Sequence, residues 1–309
     1  MPETTAPHGA DVVARHGADF VARHGADVVA RHGADFVARH GADVVARPGA
    51  DVVARPGADV VARHGADFVA RHGVLARGYG HRPDPDDPGA VLAMPIVLHI
   101  PKQDPPARSA LLEAAAMATV ALCLDPRVGT GPEGEPGPWR EPYLAWTDAR
   151  IRKVSRRARG AQWRAAQEVD GITVEHRGAQ ARALVPGPVG HLDPRISRLQ
   201  IGGTDLPHDT PDDPPAGVPV LWIDAALDMT VGKAAAQVGH AAMLFAGALD
   251  AEHAGAWAES GFVCAVRDAD PVRWRHLTKR VADGTAVAVR DAGFTEVAPG
   301  SVTVIAVPG

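Results

Sequence analysis

Val218-Pro-Val-Leu-Trp-Ile-Asp224, followed by Val231-Gly-Lys-Ala-Ala-Ala-Gln-Val-Gly-His-Ala-Ala-Met-Leu-Phe-Ala-Gly-Ala-Leu249, decides the fold of this chain. The first run is short, apolar and rich in strand-forming residues; the second repeats small and apolar residues at helical spacing. Outward from this pair the pattern continues as strand Gly261–Arg267, helix Pro271–Ala282, strand Thr285–Val289 and strand Val302–Val307. Pro271 suits the first turn of a helix and Asp270 can cap it. Strands alternating with helices imply crossover units, hence an α/β domain at 218–309 with a largely parallel sheet covered by helices.

Upstream, the chain divides by composition. Residues 8–71 are eight copies of an octapeptide, His/Pro-Gly-Ala-Asp-Val/Phe-Val-Ala-Arg. A period of eight matches no helical repeat and each copy carries a glycine, so a continuous helix is not expected and the array reads as a disordered tract. Residues 1–93 thus form a low-complexity segment ending in a Pro/Asp-rich linker, 94–202 a second α/β domain, and 203–217 a further linker. Within 94–202 we expect a buried strand at Met94–Ile100, a helix at Pro105–Leu124 capped by Asp104, and strands at Ile172–Glu175 and Ile196–Ile201. The net charge of −5 gives no whole-chain field for nucleic acid. Cys123 and Cys264 lie in apolar runs outside any Cys-x-x-Cys pattern, as expected of reduced, buried thiols. With no signal-like or membrane-spanning apolar stretch, the expected location is cytoplasmic.

The two α/β domains resemble one another. Laid without gaps, Asp170–Val189 falls over Asp283–Val302, and 96–119 over 220–243. This predicts a duplication in which 94–202 is a degenerate copy. Ser109 then stands at Lys233, Glu113 at Gln237, Ala116 at His240, Gly178 at Asp291 and Arg182 at Thr295, so the first copy lacks every reactive group.

Those groups point to a chemistry. Lys233, Gln237 and His240 fall at i, i+4 and i+7 on one helix face. A helix N-terminus with free N–H groups beside a lysine suits a phosphate or a developing oxyanion. The turn Asp291-Ala-Gly-Phe-Thr295-Glu-Val-Ala-Pro-Gly-Ser301-Val-Thr303 adds a carboxylate and hydroxyls. Together the two segments supply a cation, an acid/base group and hydrogen-bond donors with no metal, cofactor or serine nucleophile, a set suited to hydrolysing a polyanionic ester. Lys233 and Asp291 are expected to face each other across a cleft.

Met229-x-x-Gly-Lys-x-Ala-Ala-Gln-x-x-His-Ala followed by Asp-Ala-Gly-x-Thr-x-x-Ala-Pro-Gly-Ser-x-Thr resembles the type-2 peptidyl-tRNA hydrolases over residues 218–309. The resemblance implies an α/β/α sandwich around a four-stranded mixed sheet, usually dimeric, that cleaves the ester joining a peptide to the 3′ ribose of tRNA. It carries the active-site set onto Lys233, Gln237, Asp291, Thr295 and Thr303, with His240 a motif residue; Gln237, His240, Thr303 and Ser301 are expected to bind substrate. Phe294 stands where the family has Arg, and Glu296 where it has Gln.

On this basis Asp291 is expected to activate a water, Thr295 to relay its proton, Lys233 to hold the oxyanion and Gln237 to position the carbonyl. The basic stretch 150–164 offers Arg150, Arg152, Lys153, Arg156, Arg157 and Arg159 for tRNA phosphates. The expected assembly is a homodimer or an intrachain pseudo-dimer. Two alternatives share the features: a domain that holds tRNA or another RNA without cleaving it, and a deacylase that removes a misattached amino acid.

Overall fold

A computed structural model describes residues 64–80, 82–291, 296–298 and 300–309. In chain order the helices are α1 (Ala66–Ala76), α2 (Arg108–Cys123), α3 (Arg140–Thr147), α4 (Gly160–Ala166), α5 (Pro194–Ser197), α6 (Val231–Ala248), α7 (Ala251–Glu259) and α8 (Pro271–Ala282). The strands are β1 (Leu92–His99), β2 (Arg152–Ala158), β3 (Gly171–His176), β4 (Ala179–Leu184), β5 (Gly187–Pro188), β6 (Val220–Asp224), β7 (Ala265–Ala269), β8 (Val287–Arg290) and β9 (Val302–Val307). Among the described residues no helix is long and apolar enough to cross a membrane.

Two sheets form, in the orders β2-β1-β4-β3 and β7-β6-β9-β8, with β5 added beside β1. In each, one pair is parallel (β1 with β2, β6 with β7) and the others are antiparallel, β5 with β1 included. The sheets are mixed, as the resemblance implied, but antiparallel pairs prevail; the expectation of a largely parallel sheet is corrected. The physical reason is the last strand of each half, which returns beside the first through a hairpin instead of a helical crossover.

Strand alternation sets the layers. In the second sheet Leu221 and Ile223 face α6, while Val220 and Trp222 face α8 together with Leu277, Val281 and Ile305. In the first sheet Met94, Ile96 and Leu98 lie against α2, whereas Val97 packs with Trp163 and Ile196 on the opposite face. Helices α2 and α6 meet each other and share one continuous core. α2 also touches β7 and α6 also touches β2, so each helix seals the edge of the other half's sheet. Gly239 allows this approach: a Cβ there would lie 2.9 Å from Thr119 Oγ1 and 3.4 Å from Lys153 Cδ. α2 is apolar on nearly all sides because it is enclosed on nearly all sides.

The halves match in strand order, sense and connection. If Ile96 is laid on Val220, the ladders lay Arg182 on Ala306 and Thr173 on Val287. The gap-free overlay of 170–189 on 283–302 therefore slips by one residue at β3 and fails at β4, and Arg182 is no counterpart of Thr295. Only Arg177-Gly178 joins β3 to β4, with φ +50° and +78° as a type I′ hairpin turn requires. Residues 291–301 join β8 to β9. The first half has no such loop.

Several elements differ from expectation. α2 starts at Arg108, past Pro105-Pro106, and Asp104 does not cap it. Asp209 of the 203–217 linker does so instead, accepting from Ser109 N (2.9 Å) and Ser109 Oγ (2.5 Å). No strand forms at Ile196–Ile201: Ile196 and Ser197 end the short helix α5, which Asp193 caps through Arg195 N, and Gln200 makes an isolated bridge to Arg157. The octapeptide copies before His64 lie outside the described residues. In the last copy, Ala66 opens α1, which continues to Ala76 and buries Phe68, Val74 and Leu75 in the shared core. Its His72 Nε2 bonds Ala246 O at 2.9 Å.

Candidate active site

α6 begins where Thr230 turns its Oγ1 to Lys233 N, 3.2 Å. Glu296 accepts from Thr230 N (2.8 Å) and Thr230 Oγ1 (2.7 Å). The carboxylate at 296 thus brings negative charge to the positive end of α6. Gly232 N donates to Thr204 Oγ1 at 3.0 Å, and Ala234 N to Thr230 O at 2.8 Å. The expectation of free N–H groups at this terminus is therefore corrected: the donors at 232, 233 and 234 are all engaged.

Lys233 Nζ contacts Asp291 Oδ2 directly, and the two side chains are 8% and 2% exposed. They do not face each other across a cleft; they close on one another. Backbone pairing fixes the base of the turn, with Asp291 N donating to Ser301 O (2.9 Å) and Gly300 N to Asp291 O (2.7 Å). One turn further along α6, Gln237 Oε1 accepts from Thr303 Oγ1 at 2.8 Å. Thr303 Oγ1 is also 3.4 Å from Val289 O, so β8 and β9 together hold the amide. Thr295 and Phe294 lie outside the described residues.

His240 completes the stripe but turns to the other half. Its Nδ1 lies 3.0 Å from Lys153 Nζ on β2. Lys153 also reaches Met243 Sδ at 3.0 Å and sits 4.9 Å from the Trp146 ring centre. An ammonium can only donate, so this contact needs a neutral imidazole with Nδ1 bare. Burial, then the charges of Lys153 and Lys233, hold the His240 pKa well below the ordinary histidine range. Burial lowers Lys153 to about 7.

This has a measurable consequence. The folded chain sheds the Lys153 proton near pH 7, the unfolded chain near the ordinary 10.5. Between those values the unfolded state binds more protons, so stability rises with pH across the window. Lys153→Met removes the cost of the buried charge. Its melting temperature should exceed wild type most below pH 7, with the gain fading toward pH 10.5; a gain independent of pH would contradict the assignment.

The remaining residues expected to meet tRNA are largely committed inside the fold. Arg152 is buried and bidentate with Asp84 (2.8 and 2.7 Å), and Arg150 lies 3.8 Å from the same carboxylate. Arg156 donates to Ser197 O and Leu199 O, and Arg157 Nε to Gln200 Oε1 at 3.0 Å. Arg159 is exposed. Residues 152–158 are an edge strand whose arginines have internal partners, so 150–164 is not a free basic face throughout; Arg164 on α4 is exposed like Arg159. Sequence reasoning missed Thr230 and Thr204 and gave Glu296 only as a departure from the family pattern; the threonine just before the helix could have been found by the rule for helix caps.

In the first half, the place of Lys233 and Gln237 is taken by structural contacts. Ser109 is held by Asp209. Glu113 accepts from Val266 N (3.1 Å), Arg267 Nη1 (3.0 Å) and Arg177 Nη1 (3.3 Å), with His176 Nε2 at 3.2 Å.

Residues 218–309 match the family model described as Peptidyl-tRNA hydrolase PTH2. No curated protein and no solved structure matches the chain. The four-stranded mixed sheet, the Lys233–Asp291 contact and the Gln237–Thr303 contact all fall within residues 218–309, the C-terminal segment that this peptidyl-tRNA hydrolase family model matches.

Proposed function

We propose that the chain hydrolyses the ester of peptidyl-tRNA, releasing peptide and tRNA. The observation that carries this reading is the buried contact of Lys233 with Asp291, inside the segment that matches the family. Asp291 takes a proton from water as the water oxygen attacks the ester carbonyl carbon. Lys233 turns from the carboxylate to the oxyanion that forms, and Thr303 holds Gln237 Oε1 so that the Gln237 amide N–H can meet the carbonyl. When the intermediate collapses, the bond from carbon to ribose O3′ breaks and O3′ recovers the proton. Thr295 is assigned the relay of that proton, and Ser301 lines the turn. Residues 94–202 act as an intrachain pseudo-partner that supports α6 through α2 and β2.

The test is release of peptide from N-acetyl-aminoacyl-tRNA compared with release of amino acid from the unblocked ester. Preference for the blocked substrate supports the proposal; preference for the free one supports a deacylase. The closed Lys233–Asp291 pair also favours a second reading, a domain that retains tRNA without turnover. Binding of tRNA with no hydrolysis of either ester would select it.

A further inference from the structure

The cations of α8 are the opposite of those on β2. Between its caps Asp270 and Asp283, α8 carries Arg273, Arg275, His276, Lys279 and Arg280 and no acidic residue. Arg273, Arg275, His276 and Lys279 are exposed, and among the described residues none of the five is in an ion pair. This stands out in a chain of net charge −5, where the buried Arg108 and Arg152 of the first half pair with carboxylates. Fold stability alone does not call for the arrangement. Arg273 and Arg275 lie in the opening turns of the helix, where its dipole disfavours positive charge by roughly 0.3–1 kcal/mol each. The matching first-half helix α4 carries only Arg164.

Position adds to charge. β6 and β7 are parallel, with Asp224 opposite Ala269, so both leave the sheet at the same edge. From that edge β6 leads to Lys233 on one face and β7 leads to Arg273 on the other. A hollow of about 290 Å³ lies beside the helix, with Trp222, Leu277 and Pro215 in its walls and Arg273, His276 and Arg280 among its lining cations. The Arg273 guanidinium is 5.1 Å from the Trp222 ring centre. An aromatic ring with a guanidinium over it beside a row of cations fits an RNA strand, whose phosphates and unstacked bases use both, better than an acidic peptide.

We infer that the exposed face of α8 is where the tRNA sugar-phosphate backbone lands, which rests on the reading of residues 218–309 as acting on peptidyl-tRNA. The test uses the full chain and the double substitution Arg275→Glu with Lys279→Glu, both exposed and unpaired. Binding of uncharged tRNA and hydrolysis of N-acetyl-aminoacyl-tRNA are followed across a salt series. The variant should melt as wild type and bind tRNA roughly tenfold more weakly, with the slope of log K against log salt shallower by roughly one unit per residue. KM should rise while kcat at saturation holds. Arg275→Gln with Lys279→Gln should give an intermediate loss. Unchanged affinity and salt slope in a wild type that hydrolyses the ester overturn the inference and leave the functional reading standing. Lost binding in the variant, with a wild type that binds but does not cleave, supports the inference and removes the reading. A wild type that binds no tRNA removes both.

Discussion

Lys233→Ala should lower the rate of peptide release from N-acetyl-aminoacyl-tRNA by about 10²–10³, the usual loss for one oxyanion donor. Asp291→Asn should do at least as much, since an amide cannot take the proton of the attacking water. Neither loss should be accompanied by weaker tRNA binding, because the pair is buried away from the α8 face. A confounding effect has to be separated. Removing one member of a buried ion pair leaves an uncompensated charge, at a typical cost of about 3–5 kcal/mol, so either variant could lose activity by unfolding. The double variant Lys233→Met with Asp291→Leu removes both charges and should recover most of the melting temperature while staying inactive. If it recovered activity as well, or if Lys233→Ala cleaved at the wild-type rate, the assignment of the pair would be wrong.

The second large effect is expected at Glu113, which the first half keeps where the second has Gln237. Its carboxylate is 2% exposed and joins both halves, taking Val266 N and Arg267 from one and Arg177 and His176 from the other. Glu113→Ala should lower the unfolding free energy by about 3–5 kcal/mol, since buried donors are left without their acceptor. Glu113→Gln keeps one oxygen for Val266 N but loses the charge, and should cost about 1.5–3 kcal/mol. Urea unfolding with an unchanged m-value reads both directly. A loss below about 1 kcal/mol for the alanine variant would mean that the seam is held by apolar packing alone.

The parts of the fold that were legible in the sequence are those whose local chemistry agrees with their surroundings. Pro271 after Asp270 marks α8 to its first residue, and the apolar run at Val302–Val307 is β9 as read. β4 escaped because Ala179, Ala181 and Ala183 have little strand propensity. They are small because α2 presses on them, which only the packed structure reveals. β7 begins four residues later than expected, since Gly261 and Phe262, both at positive φ, first end the unforeseen helix α7. The charge run at 150–164 misled for a tertiary reason: its partners, Asp84 and the carbonyls of Ser197 and Leu199, come from distant segments. The convergence of residue 233 on residue 291 was readable from two motifs. Their direct contact was not, because it depends on where the end of β8 lies against α6.

The helix pair α2–α6 is closed within one polypeptide. Two subunits that meet through the same surfaces come apart on dilution; a covalently tethered pair has no such concentration dependence. The support that α2 gives to α6 therefore does not vary with protein concentration.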